Sequence, residues 1–245
     1  MKTNYHTHST WCDGRDTPEA MALAAVERGF DVLGFSSHSD MLKDVDAYIA
    51  DIRALALRFA PDLKVLCGVE AEYLPGFQRR DFDYVIGSVH YVTAPDGARV
   101  SVDDTPELLS QGIAAHFGGS AERFVRAYFA TEREMIVGFD CDIVGHLDLV
   151  RKFNLKHPYF DEHAEWYLDE LRLTADALAA SGKLTELNTG AISRGWLEDA
   201  YPSAEFRAML VERGVRFILS SDAHAAVVLD CAFDRYQATL PFVTL

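Results

Sequence analysis

The chain has 245 residues, 49% of them hydrophobic and 25% charged, which is a globular profile long enough to bury a sizeable core. Its net charge of −15 argues against nucleic acid or an anionic membrane as partner, because both call for a basic face. A small anionic ligand stays open, since bound cations would invert the field locally.

In chain order, Lys2 to His6 reads as a first strand. Thr17 caps a helix that has Pro18 at its first position and runs to about Arg28, where Gly29 stops it. Asp31 to Phe35 is a second strand. A helix follows from about Asp46 to Phe59, closed by Pro61. Lys64 to Val69 and Tyr84 to Val89 are the third and fourth strands. Between Tyr91 and Ala121 the pattern is weak, and a loop with helical pieces is expected there, lying near the active face, with one short helix starting at Asp103 to Pro106. Ser120 to about Val137 is a long helix, and Cys141 to Val144 a fifth strand. Tyr159 to Ser181 contains a helix ended by Gly182. Leu184 to Leu187 is the sixth strand, Ser203 to Arg213 a helix stopped by Gly214, and Val215 to Leu219 the seventh strand. The tail from Ala225 has room for one more helix.

Seven alternations of strand and helix call for a parallel sheet covered by helices, closed as an irregular relative of the eight-fold α/β barrel. No Pro/Ser-rich linker divides residues 1–245, so one domain is expected. Cys12, Cys67, Cys141 and Cys231 form no C-x-x-C pair. With no signal-like start and no bilayer-length apolar run, they suit a reduced, cytoplasmic protein.

Side chains that bind metals recur at the strand ends. His6 and His8 end the first strand, and with alternating side chains both would face one way. Asp13 follows in the next loop. His38 follows the second strand, Glu70 ends the third, His90 the fourth, His146 follows the fifth, and Asp222 and His224 follow the seventh. In a parallel barrel all those ends converge on one mouth. Six of the nine histidines belong to the set; His116, His157 and His163 do not. Nine candidate ligands exceed the roughly four that one zinc-like ion takes, so two or three divalent transition-metal ions are expected. Imidazole and carboxylate without thiolate suit Zn, Fe or Mn.

The motifs His6-x-His8, Ser37-His38-Ser39-Asp40, Gly68-Val69-Glu70, Ser88-Val89-His90, Gly145-His146-x-Asp148 and Ser221-Asp222-x-His224 resemble, in order, those of the PHP (polymerase and histidinol phosphatase) family. Asp148 to Phe153 and Glu186-Leu187-Asn188-Thr189-Gly190 with Arg194-Gly195 are similar to its histidinol-phosphatase branch. The resemblance implies a distorted seven-stranded TIM-barrel-like (β/α) barrel with a trinuclear metal centre. It implies that His6, His8, Glu70 and Asp222 hold one ion, that Glu70 bridges to a second held by His90 and His146, and that Asp13, His38 and His224 hold the third. Asp13 stands where many relatives carry histidine.

The implied activity is hydrolysis of the phosphomonoester L-histidinol phosphate, in histidine biosynthesis, by attack of a metal-bound hydroxide, with no covalent phospho-enzyme. Asp222, Arg194 and Arg151 are the candidate catalytic residues. Arg194, Arg151, Lys152 and Arg15 are candidates for binding the phosphate, arginine because its fork matches phosphate oxygens. Glu72, Asp40, Asp148 or an acidic loop residue near Asp103 would receive the ammonium and imidazole of the substrate. Three other readings stay open: another small phosphate ester or nucleotide, a non-catalytic metal-binding module, and a C–N hydrolase barrel. The last expects a bridging lysine at a strand end, and Lys152 and Lys156 lie off the strand ends.

Overall fold

The computed structural model describes residues 1–245. Seven parallel strands pair in the order β1 (Thr3–Asn4), β2 (Val32–Phe35), β3 (Lys64–Glu72), β4 (Tyr84–Ser88), β7 (Ile143–Val144), β8 (Leu184–Asn188) and β9 (Phe217–Ser220). Between β4 and β7 the chain makes a separate antiparallel hairpin, β5 (Tyr91–Thr93) and β6 (Arg99–Ser101). The sheet curls until its two edges meet beyond the strands: Thr7 bridges Ala223, with the His8 N–H donating to the Ala223 carbonyl at 2.8 Å. This is the expected α/β barrel, with the seam sewn by residues that follow β1 and β9.

The covering helices are α1 (Pro18–Glu27), α2 (Val45–Phe59), α3 (Pro106–His116), α4 (Ala121–Gly138), α5 (Glu165–Ser181), α6 (Gly190–Ser193), α7 (Ala204–Glu212) and α8 (Phe233–Tyr236). The side chains of Thr17, Asp44, Thr105, Ser120 and Ser203 accept from amides of the first turn of α1, α2, α3, α4 and α7. Gly29 and Gly182 end α1 and α5 in left-handed backbone. No helix is long and apolar enough to cross a membrane.

Strand periodicity sorts the side chains. On β3, Cys67, Val69 and Ala71 join the large outer core under the helices, while Gly68, Glu70 and Glu72 alternate with them. On β4, Tyr84 and Ile86 join an inner cluster with Tyr5, Val32, Ile143, Leu184 and Ile218, which plugs the barrel floor. Tyr84 lies across that floor with its hydroxyl donating to the Tyr5 carbonyl. Gly34 and Gly68 make room for it, since a Cβ at either would stand 2.2 Å from its phenol. Above the plug, the inward positions turn polar.

Four expectations change. The first strand ends at Asn4, whose side-chain oxygen accepts from the His6 N–H and turns the chain toward the mouth. β3 continues to Glu72, so Glu70 lies inside the strand. The fifth strand shrinks to Ile143–Val144. The weak stretch after Tyr91 holds the β5–β6 hairpin as well as α3, turned at Asp96-Gly97, with Gly97 in left-handed backbone.

Candidate active site

The mouth of the barrel is a cleft of ≈ 270 Å³, with Asp13, His38, Glu70, His90, His146, Asp222 and His224 among its lining residues. His6 and His8 lie beneath it, both 0% exposed. The nine proposed ligands therefore do gather at one rim.

Glu70 is the hub. Its Oε2 is 3.2 Å from His6 Nε2, 3.5 Å from His8 Nε2 and 3.0 Å from His38 Nδ1. Its Oε1 is 3.0 Å from His146 Nε2 and 3.4 Å from His90 Nε2, and accepts from the Ser88 hydroxyl at 2.7 Å. Burial works to raise the Glu70 carboxyl, but His6, His38 and His90 outweigh it and hold it well below the ordinary carboxylate range.

Asp222 closes the first group. Its Oδ1 is 3.3 Å from His8 Nε2 and 3.8 Å from His6 Nε2. A tetrahedron of ligands about 2.0–2.2 Å from an ion has edges of about 3.3–3.6 Å, so these separations fit a cation at the centre. His6 Nε2, His8 Nε2 and Glu70 Oε2 are moreover buried without any hydrogen-bond partner. Bare buried lone pairs are costly, and a cation would satisfy all three. On the outer side, Asp13 Oδ2 is 3.2 Å from His224 Nε2, and its Oδ1 is 3.7 Å from His38 Nε2. The geometric groups overlap more than the family pattern implies: His8 stands with Asp13, His38 and His224 as well as with His6 and Asp222, and His38 also stands with Glu70 and His90.

A second layer orients these rings. Glu186 on β8 sets both oxygens 3.0–3.1 Å from His6 Nδ1 and accepts from the His146 N–H at 2.8 Å. Glu72 accepts from His90 Nδ1 at 2.8 Å and from the His90 N–H at 3.1 Å. Such contacts present the other ring nitrogen, Nε2, toward Glu70. Burial alone would lower His6, but Glu186, Glu70 and Asp222 raise it well above its ordinary value. Burial, His224 and His38 lower His8 well below it.

The basic residues divide. Arg194, just past α6, lines the cleft and grips Asp222 with both ends of its fork, at 3.2 and 3.1 Å. Gly190 leaves space for that guanidinium, which a Cβ would meet at 2.6 Å. Asp222 itself takes left-handed backbone (φ 50°), uncommon for a residue with a side chain. Lys152 lines the cleft and donates to Asp103, at 2.7 Å to its carbonyl and 3.0 Å to its carboxylate. Arg151 does not line it. This buried guanidinium faces away, bonded to Glu162 at 2.6 Å and Asp148 at 3.4 Å, because the short 3-10 turn Leu149–Arg151 points consecutive side chains in different directions. Arg15 is exposed and does not line the cleft; its backbone N–H donates to the His224 carbonyl at 2.8 Å.

Of the acids expected to meet the substrate, Asp40 and Asp103 line the cleft, with Asp104 beside them. Glu72 lines it too, but one of its oxygens is spent on His90. Asp148 is buried outside it, accepting from the Ser203 N–H at 2.8 Å. The orienting role of Glu186 escaped the sequence reading. Its signal was there: a glutamate in the middle of a strand, in phase with Leu184 and Asn188.

A family model described as the PHP domain matches residues 4–190. The chain belongs to the PHP family. Within it, this PHP protein falls in the histidinol-phosphatase branch. It is 32% identical, over 89% of its own length and 85% of the relative's, to a Deinococcus radiodurans protein named "Probable histidinol-phosphatase". The fold is shared with a solved structure from Listeria monocytogenes, which matches with a TM-score of 0.84 at 22% identity, covering 96% of this chain and 100% of that one. Another, the histidinol phosphate phosphatase of Lactococcus lactis complexed with zinc, L-histidinol and phosphate, has a TM-score of 0.77 at 23% identity and covers 100% and 95%.

Proposed function

We propose that this protein, one domain over residues 1–245, is a cytoplasmic metal-dependent phosphomonoesterase that hydrolyses L-histidinol phosphate to L-histidinol and phosphate. The observation that carries the reading is Glu70, a buried carboxylate whose two oxygens face separate sets of imidazoles. The relative at 32% identity supports the substrate.

His6, His8, Glu70 and Asp222 would hold one divalent ion. Glu70, His90 and His146 would hold a second, and Asp13, His38 and His224 a third, drawn from Zn, Fe or Mn. When bound, such ions neutralise phosphate charge and lower the pKa of water. The chain's own part is positional. Glu186 and Glu72 fix the rings of His6 and His90. Arg194 holds Asp222 still and keeps further N–H donors for phosphate oxygens. Lys152 adds positive charge to the cleft lining, held there by Asp103. Arg151 takes no part in substrate contact on this reading; it neutralises Asp148 behind the wall.

The acids Asp40 and Asp104, which line the cleft and form no salt bridge, suit a leaving group that is cationic, as histidinol is, and oppose nucleic acid. A phosphate-release screen over phosphorylated metabolites, run with metal analysis, tests this. Histidinol phosphate should give the highest kcat/KM, and chelation should abolish it. Preference for another ester would end the substrate assignment, and undiminished turnover by metal-free protein would end the metal chemistry.

A further inference from the structure

Tyr201 lines the cleft together with Arg194, Leu149 and His146. The residue is fixed on every side. It is 1% exposed, its backbone exchanges hydrogen bonds with Asn188 at 2.8 and 2.9 Å, and its ring stands edge-on to the His146 imidazole with centroids 6.3 Å apart. Its hydroxyl nonetheless has no hydrogen-bond partner.

The bare atoms His6 Nε2, His8 Nε2 and Glu70 Oε2 at this centre offer lone pairs and suit cations. Tyr201 is of the opposite kind, because a phenol is a neutral O–H donor at working pH and lacks only an acceptor. Two carboxylates of the cleft are already engaged: Asp222 is gripped by the Arg194 fork, and Asp103 accepts from Lys152. Two rivals for the hydroxyl exist: Asp148 Oδ1 behind the wall and Nδ1 of the neighbouring His146, both also bare.

We propose that Tyr201 is a substrate-contacting residue, its hydroxyl donating a hydrogen bond to an oxygen of the bound phosphate ester on the side lined by Arg194. The assignment rests on the phosphomonoesterase reading. It adds an uncharged donor to a phosphate pocket otherwise built from cations.

The test uses metal-loaded enzyme with inorganic phosphate as the calorimetric probe, and histidinol phosphate and p-nitrophenyl phosphate as substrates. Tyr201→Phe should weaken phosphate binding, and lower kcat/KM for each ester turned over, by about ten- to a hundredfold. Metal content and melting temperature should stay at wild-type values. Wild-type phosphate affinity in Tyr201→Phe overturns the contact. So does a loss that comes with loss of metal, which assigns the hydroxyl to His146 instead, or with a lower melting temperature or failure to fold, which assign it to Asp148. A wild-type enzyme that ignores histidinol phosphate, yet binds inorganic phosphate more tightly than Tyr201→Phe does, overturns the substrate assignment and supports the contact.

Discussion

Glu186 spends its whole carboxylate on holding other groups still. It faces the His6 ring, accepts from the His146 backbone and from the Asn188 amide at 2.8 Å, and so ties two proposed ligand positions together. Glu186→Gln keeps the shape but loses the charge and puts a donor against one of these donors. It should cost about 10- to 100-fold in metal affinity or activity, read by metal analysis and kcat/KM. Unchanged values would remove the second layer from the account. Arg151 gives the converse case. Arg151→Met leaves Asp148 buried beside one fewer positive charge, so stability should fall by about 3 kcal/mol in denaturant unfolding. Competitive inhibition by inorganic phosphate should not move. A large change in that inhibition would return Arg151 to the cleft.

At the scale of elements, β3 carries both halves of the architecture. Gly68 yields to Tyr84 in the floor, and Glu70, one pleat higher, meets the histidines. Gly68→Ala would drive a methyl into the phenol, so a destabilisation of at least about 1–3 kcal/mol is expected in urea unfolding. A neutral result would mean that Tyr84 can swing away. Much of this layer was legible in the sequence, because strand period, cap residues and helix-ending glycines are local signals. Thr17, Ser120 and Gly182 act where their chemistry predicts. The gathering of His6, His38, Glu70, His90, His146, Asp222 and His224 followed from one rule, that parallel strands end on the same side. What stayed illegible depended on direction within short turns. Arg151 and Lys152 are adjacent, yet one faces the core and the other the cleft. Whether Glu72 meets substrate or a neighbouring ring is likewise set by β3 running on to Glu72, beside the His90 that follows β4. The hairpin at Asp96-Gly97 had a local signal that the surrounding weak pattern obscured.

At the scale of the whole molecule, the centre sets the pH response of the fold. In the metal-free protein Glu70, Asp222 and Glu186 lie below their ordinary values, so their stabilising contribution is present above the unfolded carboxylate range and lost as pH falls through the folded values. His6, His38 and His90 lie above theirs, so their contribution is complete below about pH 6.5 and lost as pH rises through the folded values. Divalent metal competes with those protons. The drop in melting temperature on adding EDTA to the metal-loaded enzyme should therefore grow from about pH 6 to about pH 8. A free ion at a hundred times its Kd is worth about 2.7 kcal/mol. An EDTA effect equal at both pH values would break this linkage.

The circle of strands is completed where Thr7 meets Ala223, each set between two of the proposed ligands. Whatever cross-links those flanking side chains therefore also fastens the first few residues of the polypeptide to a segment more than two hundred positions downstream. Cations held by those side chains would therefore tighten the closed ring, and their loss would leave the seam to its backbone hydrogen bonds alone.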